Sequence, residues 1–145
     1  MIAIFINQIL HGDAINIYGD GSHVRAHSYI YDCIGPIMRA GKLSNEIINI
    51  GGEQAFTIQE TADMVKNALQ EPSWGIRYLD NRYKEVPFAY CDHTKARELI
   101  DFKEVIGVEE GIRRVAEAFA KEGPVEYEDK EPLTLKSPKI PKTWN

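Results

Sequence analysis

Thiols are scarce: Cys33 and Cys91 are the only two in 145 residues. Two cysteines make neither a disulfide framework nor a zinc site, so both read as unlinked thiols of a cytoplasmic protein. Long apolar runs are missing too. The longest, Met1 to Ile6, is far too short to cross a bilayer and lacks the basic lead and cleavage site of a signal peptide. Positive charge is outnumbered, 17 Lys and Arg against 22 Asp and Glu, for a formal charge of −5. A general electrostatic grip on nucleic acid needs clustered cations, so that partner is not expected, nor is a membrane. No Walker loop occurs. Gly19 and Gly21 are followed by Val24 where a dinucleotide fingerprint needs its third glycine. No Tyr-x-x-x-Lys occurs, since Tyr127 and Lys130 are three apart. His11, His23, His27 and His93 are scattered, and no metal site is expected from them.

What remains is an ordinary globular composition. Hydrophobic residues are 43% of the chain and charged residues 27%, enough to bury roughly two-thirds of the unfolded surface at this size. The pattern alternates helix and strand. Ile2, Phe5, Ile6 and Ile9 share one helical face over Met1 to Leu10, and His11-Gly12-Asp13 stops it. The helix opens without a cap, which points to a segment missing upstream. Ala14 to Tyr18 reads as a strand, Gly19-Asp20-Gly21 as a turn, and His23 to Tyr31 as a second strand or extended segment. A helix is expected from about Asp32 to Gly41, with Pro36 in its first turn. Glu46 to Ile50 (EIINI) reads as a strand buried on both faces, ending at Gly51-Gly52. Thr57 and Glu60 form a capping box for a helix with Ile58, Thr61, Ala62, Val65 and Leu69 inward. Gly75 to Leu79 is a strand, Val86 to Cys91 extended, and His93 to Ile100 and Val108 to Lys121 are helices. The order divides the chain into a domain over 1–123 and an extended tail over 124–145. The tail holds Pro124, Pro132, Pro138 and Pro141 among Lys130, Lys136, Lys139 and Lys142.

The informative stretch is IYGDGSHVRAHSYIYD, Ile17 to Asp32. It places Arg25 just past a glycine turn among aromatics; a planar guanidinium suits a diphosphate, although a lone arginine near a turn is more often a surface charge. Three further stretches follow it: NIGGEQAFTIQETA (Asn49 to Ala62), RYKEVPFAYCD (Arg82 to Asp92) with TKARELIDFK after it, and VEEGIRRVAEAF (Val108 to Phe119). In this order, over roughly residues 2 to 121, they resemble the C-terminal half of the extended short-chain dehydrogenase/reductases. These are NAD-dependent nucleotide-sugar epimerases, dehydratases and decarboxylases.

The resemblance implies an α/β fold, the C-terminal portion of a Rossmann-type enzyme, with several helices and short strands and without the N-terminal dinucleotide-binding domain. It implies that Arg25 and Arg82 pair with a nucleotide diphosphate. Glu85, where the family has Asp, would touch ribose or order its loop, and Ile17 and Tyr18 would flank the base. Asp32 matches an acid at the start of a helix, equally readable as a cap. Asn49 and Gly51 end the strand before the substrate-side helix. Ala26 replaces the usual Asp or Ser, and Tyr83-Lys84 replace Pro-Gly. Members use NAD for hydride transfer and a Tyr-x-x-x-Lys pair as acid or base. Neither the cofactor's loop nor that pair is in these residues, so no cofactor and no catalytic residue are assigned. The expected function is the nucleotide-diphosphate-sugar-binding half of such an enzyme, not catalytic alone, with weak or lost ligand affinity. Its partner is expected to be a second copy or a missing N-terminal half. The alternative is a non-catalytic nucleotide-sugar-binding or interaction module.

Overall fold

A computed structural model describes residues 1–126. Helix α1 (Ile2–Leu10) follows from its apolar spacing, and Phe5, Ile6 and Ile9 are buried. Strand β1 (Ile15–Tyr18) comes next, with Ile15 and Ile17 fully inward. The Gly19 and Gly21 turn needs left-handed backbone at both glycines (φ 80° and 82°). It leads to β2 (Val24–Ala26) and helix α2 (Ile30–Ala40). Strand β3 (Ala55–Thr57) runs directly into helix α3 (Ile58–Ala68). Strands β4 (Ile76–Leu79) and β5 (Phe88–Ala89), then helices α4 (Thr94–Ile100) and α5 (Val108–Glu122), complete the order.

Two small sheets result. β1 pairs with β4 in parallel, Ile17 opposite Tyr78. β2 lies between β3 (antiparallel, Arg25 opposite Phe56) and β5 (parallel, Arg25 opposite Ala89). The main core joins α1, α3, α5 and β1 through Phe5, Ile6, Ile17, Val65 and Ile112. Each large aliphatic buried there contributes about 1.5–3 kcal/mol. A second cluster, Ala96, Ile100 and Phe102, sits between α2, α4 and the 48–50 segment.

The capping box is present as read. The Thr57 hydroxyl accepts from Glu60 N–H at 3.0 Å, and the Glu60 carboxylate accepts from Thr57 N–H at 2.7 Å. The Thr57 N–H holds the Glu60 carboxyl below its ordinary range. The remaining N–H groups of the first α3 turn are taken by the glycine turn: Ile58 N–H donates to the His23 carbonyl and Gln59 N–H to that of Gly21. Thr57→Ala removes one half of the box. It is expected to lower stability by about 1 kcal/mol in urea unfolding, with little change for Thr57→Ser. Because the Glu60 carboxyl is depressed, its share of the box holds above the ordinary carboxylate range. It fades as pH falls through the folded-state value.

Three expectations are corrected. Residues 46–50 form no strand. Among the described residues no neighbouring strand offers them a ladder. Ile48 and Ile50 instead turn onto the Ala96–Ile100–Phe102 cluster, while Ile47 is 87% exposed. Helix α2 starts two residues earlier than read, so Pro36 lies in its interior rather than its first turn. The early start follows from Tyr29, the N-cap, whose ring is held between Gly111 of α5 and the Arg114 guanidinium, 5.5 Å away. Of the segment 23–31, only Val24–Ala26 is strand. The tail expectation lies mostly outside the described residues. At its root Val125 is fixed to α1: its N–H donates to Asn7 Oδ1 (2.8 Å) and its carbonyl accepts from Asn7 Nδ2 (3.0 Å). Both cysteines are free.

Candidate nucleotide-diphosphate site

The strand pairing assembles the site. β1 pairs with β4 and β2 with β5, so the turns 19–23 and 80–87 run side by side. The Gly19 N–H donates to the Leu79 carbonyl, and Val24 N–H to that of Pro87, each at 2.8 Å. This draws Arg82 and Glu85 over Tyr18 and Arg25. A hollow of about 470 Å³ opens between them and helix α1, within the range of small-molecule sites. All five residues singled out from the sequence, Ile17, Tyr18, Arg25, Arg82 and Glu85, line it.

Arg25 is three-quarters buried on the middle of β2. Its Nη2 lies 3.4 Å from Glu85 Oε1, a long ion pair, and Nη1 donates to its own Val24 carbonyl at 2.8 Å. The Arg82 guanidinium lies over the Tyr18 ring, Cζ 3.8 Å from the centroid, close enough for a cation–π attraction. It has no acidic partner among the described residues. The hollow therefore carries two guanidiniums against one carboxylate, a net attraction for an anion.

Two residues that line this hollow, Glu85 and Asn16, each hold one buried side-chain oxygen without a donor, Oε2 and Oδ1. A buried unpaired acceptor is costly, so each side chain gains by turning toward the hollow to meet a donor. The wall opposite is apolar, made by Ile4 and Phe5 of α1 with Ile17 and Ile58.

Asn16 and His27 were not read as site residues. The strand period held the signal. Asn16 shares a face of β1 with Tyr18, and His27 stands two residues past Arg25. The His27 ring bonds Thr61 Oγ1 at 3.1 Å. The Thr61 hydroxyl donates to the Thr57 carbonyl (2.9 Å), so it accepts from His27 Nε2–H and leaves Nδ1 as an acceptor. Burial first, then nearby positive charge including Arg25, lowers the His27 pKa and keeps the ring neutral. His23 and His27 are four apart but flank a strand, so they share no helical face. Among the described residues no group of three metal-ligating side chains occurs.

Asp32 lies outside the hollow. Its carboxylate accepts from Val105 and Ile106 N–H (3.1 and 2.9 Å). It caps exposed N–H groups, but those of the 105–106 loop rather than its own helix. Gly51 and Gly52 do make a tight passage. A Cβ at Gly52 would fall 2.1 Å from the His27 carbonyl oxygen.

The described residues do not fit a dinucleotide. The glycine turn after β1 runs into a strand, not a helix, and its carbonyls already serve α3.

No family model matches the chain. Individual proteins do. It is 34% identical over 115 residues to a putative UDP-glucose 4-epimerase of Methanocaldococcus jannaschii, covering 79% of this chain and 37% of that protein. It is 28% identical over 123 residues to UDP-glucuronic acid decarboxylase 1 of Danio rerio, covering 84% and 29%. Among solved structures, UDP-glucose 4-epimerase of Thermotoga maritima with UDP-glucose superposes with a TM-score of 0.77 at 29% identity, covering 83% of this chain and 39% of that one. UDP-glucuronic acid 4-epimerase of Bacillus cereus matches in fold with a TM-score of 0.78 at 24% identity, covering 84% and 40%. The chain thus spans well under half the length of the relatives it matches. In sequence and in fold, it is a homologue of the C-terminal part of the nucleotide-sugar epimerases, decarboxylases and dehydratases of the extended short-chain dehydrogenase/reductase family.

Proposed function

We propose that the hollow between α1, β1 and the 80–87 turn binds the nucleoside diphosphate of a UDP-sugar, and that this chain is the substrate-binding half of an NAD-dependent epimerase, decarboxylase or dehydratase. The observation that carries the reading is the convergence of Arg25 and Arg82 on one 470 Å³ hollow, whose lining residues Asn16 and Glu85 each keep one acceptor without a donor. The guanidiniums meet the diphosphate oxygens, and Arg25 exchanges its long contact with Glu85 for a charge-assisted one. Glu85 Oε2 then takes a ribose hydroxyl. Asn16 Oδ1 takes an N–H of the base, which lies on the Ile17 and Tyr18 side against the apolar wall. The chain's own residues bind and orient; the hydride chemistry that NAD supplies in such enzymes has no site in the residues described.

Calorimetric titration tests this. UDP gives a saturable heat at one per chain, weakened by salt, while uridine gives none. Absence of a UDP heat, or an equal heat with uridine, overturns the reading. Incubated with a UDP-sugar and NAD, the 145-residue chain turns nothing over; a product would overturn the non-catalytic assignment.

Exposure of apolar side chains supports a protein partner as well. Ile30, Ile34, Ile37 and Met38 form an exposed stripe on α2, with Ile34 41% and Met38 72% accessible. A stripe of that kind is ordinarily covered, here by a second copy or by the dinucleotide-binding part that the resemblance implies. Size-exclusion chromatography with light scattering is expected to show a dimer or larger. A monomer that binds no hydrophobe-sensing dye contradicts this. No helix among the described residues is long and apolar enough to cross a membrane.

A further inference from the structure

A second hollow lies away from Arg25 and Arg82, past the end of β5. It measures about 270 Å³ and is lined by Gly52, Glu53, Cys91, Asp92, His93 and Arg97 among others. Inside it Cys91 Sγ lies 3.2 Å from His93 Nε2. His93 is 94% buried, and its ring is tilted against that of Phe102 with centroids 5.5 Å apart, which holds its orientation. Cys91 is only half-buried and opens to the hollow. Gly51 closes over the pair: a Cβ there would lie 3.1 Å from Cys91 Sγ and 3.2 Å from His93 Nε2. The glycine leaves the thiol–imidazole contact undisturbed.

Carboxylates gather around the pair. Asp92 and Glu53 share the hollow, and Glu104 lies close enough to His93 for their charges to interact. Arg97 is the cation at this wall, and it is engaged by Glu53 at 2.9 Å. The Asp92 carboxyl is held below its ordinary range by the Thr94 N–H, whereas burial pushes that of Glu104 up.

We propose that Cys91 and His93 form a nucleophilic thiol–imidazole pair, making Cys91 a site of covalent modification by small, uncharged, soft electrophiles. The thiol proton passes to His93 Nε2. The sulfur then forms a bond to the electrophilic carbon as the carbon's bond to its leaving group breaks, and that group departs with the electron pair. With iodoacetamide, an S–C bond replaces a C–I bond and iodide leaves. The geometry matches the one that activates cysteine elsewhere, a histidine in hydrogen-bond reach of a partly exposed thiol.

Cys33 is the internal comparison. It is free and partly buried, and burial pushes its thiol up. The experiment is timed alkylation of the whole chain with iodoacetamide at neutral pH, each cysteine quantified by mass spectrometry. Cys91 is expected to react about tenfold faster than Cys33, and faster in the folded chain than in the urea-unfolded chain. His93→Gln is expected to abolish the excess at Cys91 and leave the Cys33 rate unchanged. Equal or slower reaction of Cys91 in the folded wild type overturns the proposal, as does an unchanged Cys91 rate in a folded His93→Gln protein. Should that variant not fold, the wild-type comparison of folded with unfolded chain decides alone.

Discussion

Arg25→Ala weakens UDP binding by roughly 10- to 100-fold, the loss expected when a charge-assisted contact of about 1.5–3 kcal/mol disappears. Arg25 sits in the central strand of the three-stranded sheet, with Phe56 and Ala89 as its cross-strand neighbours. The backbone at this point is therefore held on both sides, and the guanidinium is the part free to change partner. In the unliganded chain it rests at 3.4 Å from Glu85, longer than a good ion pair. A diphosphate offers shorter contacts to both Nη atoms. Arg25→Lys is expected to recover only part of the affinity, because a single ammonium cannot form the paired contact. Arg82→Ala is expected to lose affinity too, though Arg82 is held by the Tyr18 ring rather than by an acid. Calorimetry on the wild type and the three variants reads all of this. Identical heats for wild type and Arg25→Ala would remove Arg25 from the site.

Phe102→Ala is the most damaging single truncation expected, at about 3–5 kcal/mol. Phe102 is 1% exposed and is the largest fully buried side chain. Its N–H donates to the Ala96 carbonyl, and its ring meets Ile100 and His93. The cluster it anchors is small and separate from the α1–α3–α5 core, so few neighbours can close the cavity. A stability of 5–15 kcal/mol is typical of a domain, and this loss is a large fraction of it. Amide exchange is expected to rise first in α2, α4 and the 48–50 segment. The capping box at Thr57 and the arginine hollow keep their protection longer. A loss below about 1 kcal/mol in urea unfolding would show that the second cluster is not a structural core.

The parts legible in the sequence were those set by local chemistry. Thr57 and Glu60 announced a helix start because the capping box is built from neighbours. The Ile2–Phe5–Ile9 spacing announced α1 for the same reason. What resisted was set by distant contacts. The EIINI run looks like a strand, yet a strand exists only where another chain segment supplies its ladder, and Ile48 and Ile50 meet α4 instead. The start of α2 depended on Tyr29 finding Gly111 and Arg114, more than eighty residues away. The site was legible in part. Arg25, Arg82 and Glu85 stood out through resemblance, and the parallel pairing of β2 with β5 brings them together. Asn16 was missed although the strand period puts it on the Tyr18 face, because its missing donor is set by the folded surroundings. The Cys91–His93 contact was missed because a sequence gap of two says nothing of a shared hollow.

One anion-attracting hollow on this chain is proposed to take a nucleoside diphosphate. A ¹H–¹⁵N correlation spectrum of the 145-residue protein, followed during addition of UDP, tests it most directly. The expected result is saturable shifts confined to Asn16–Tyr18, Val24–His27 and Arg82–Glu85, with Cys91 and His93 unmoved. An unchanged spectrum, or shifts that map away from those three segments, would contradict it.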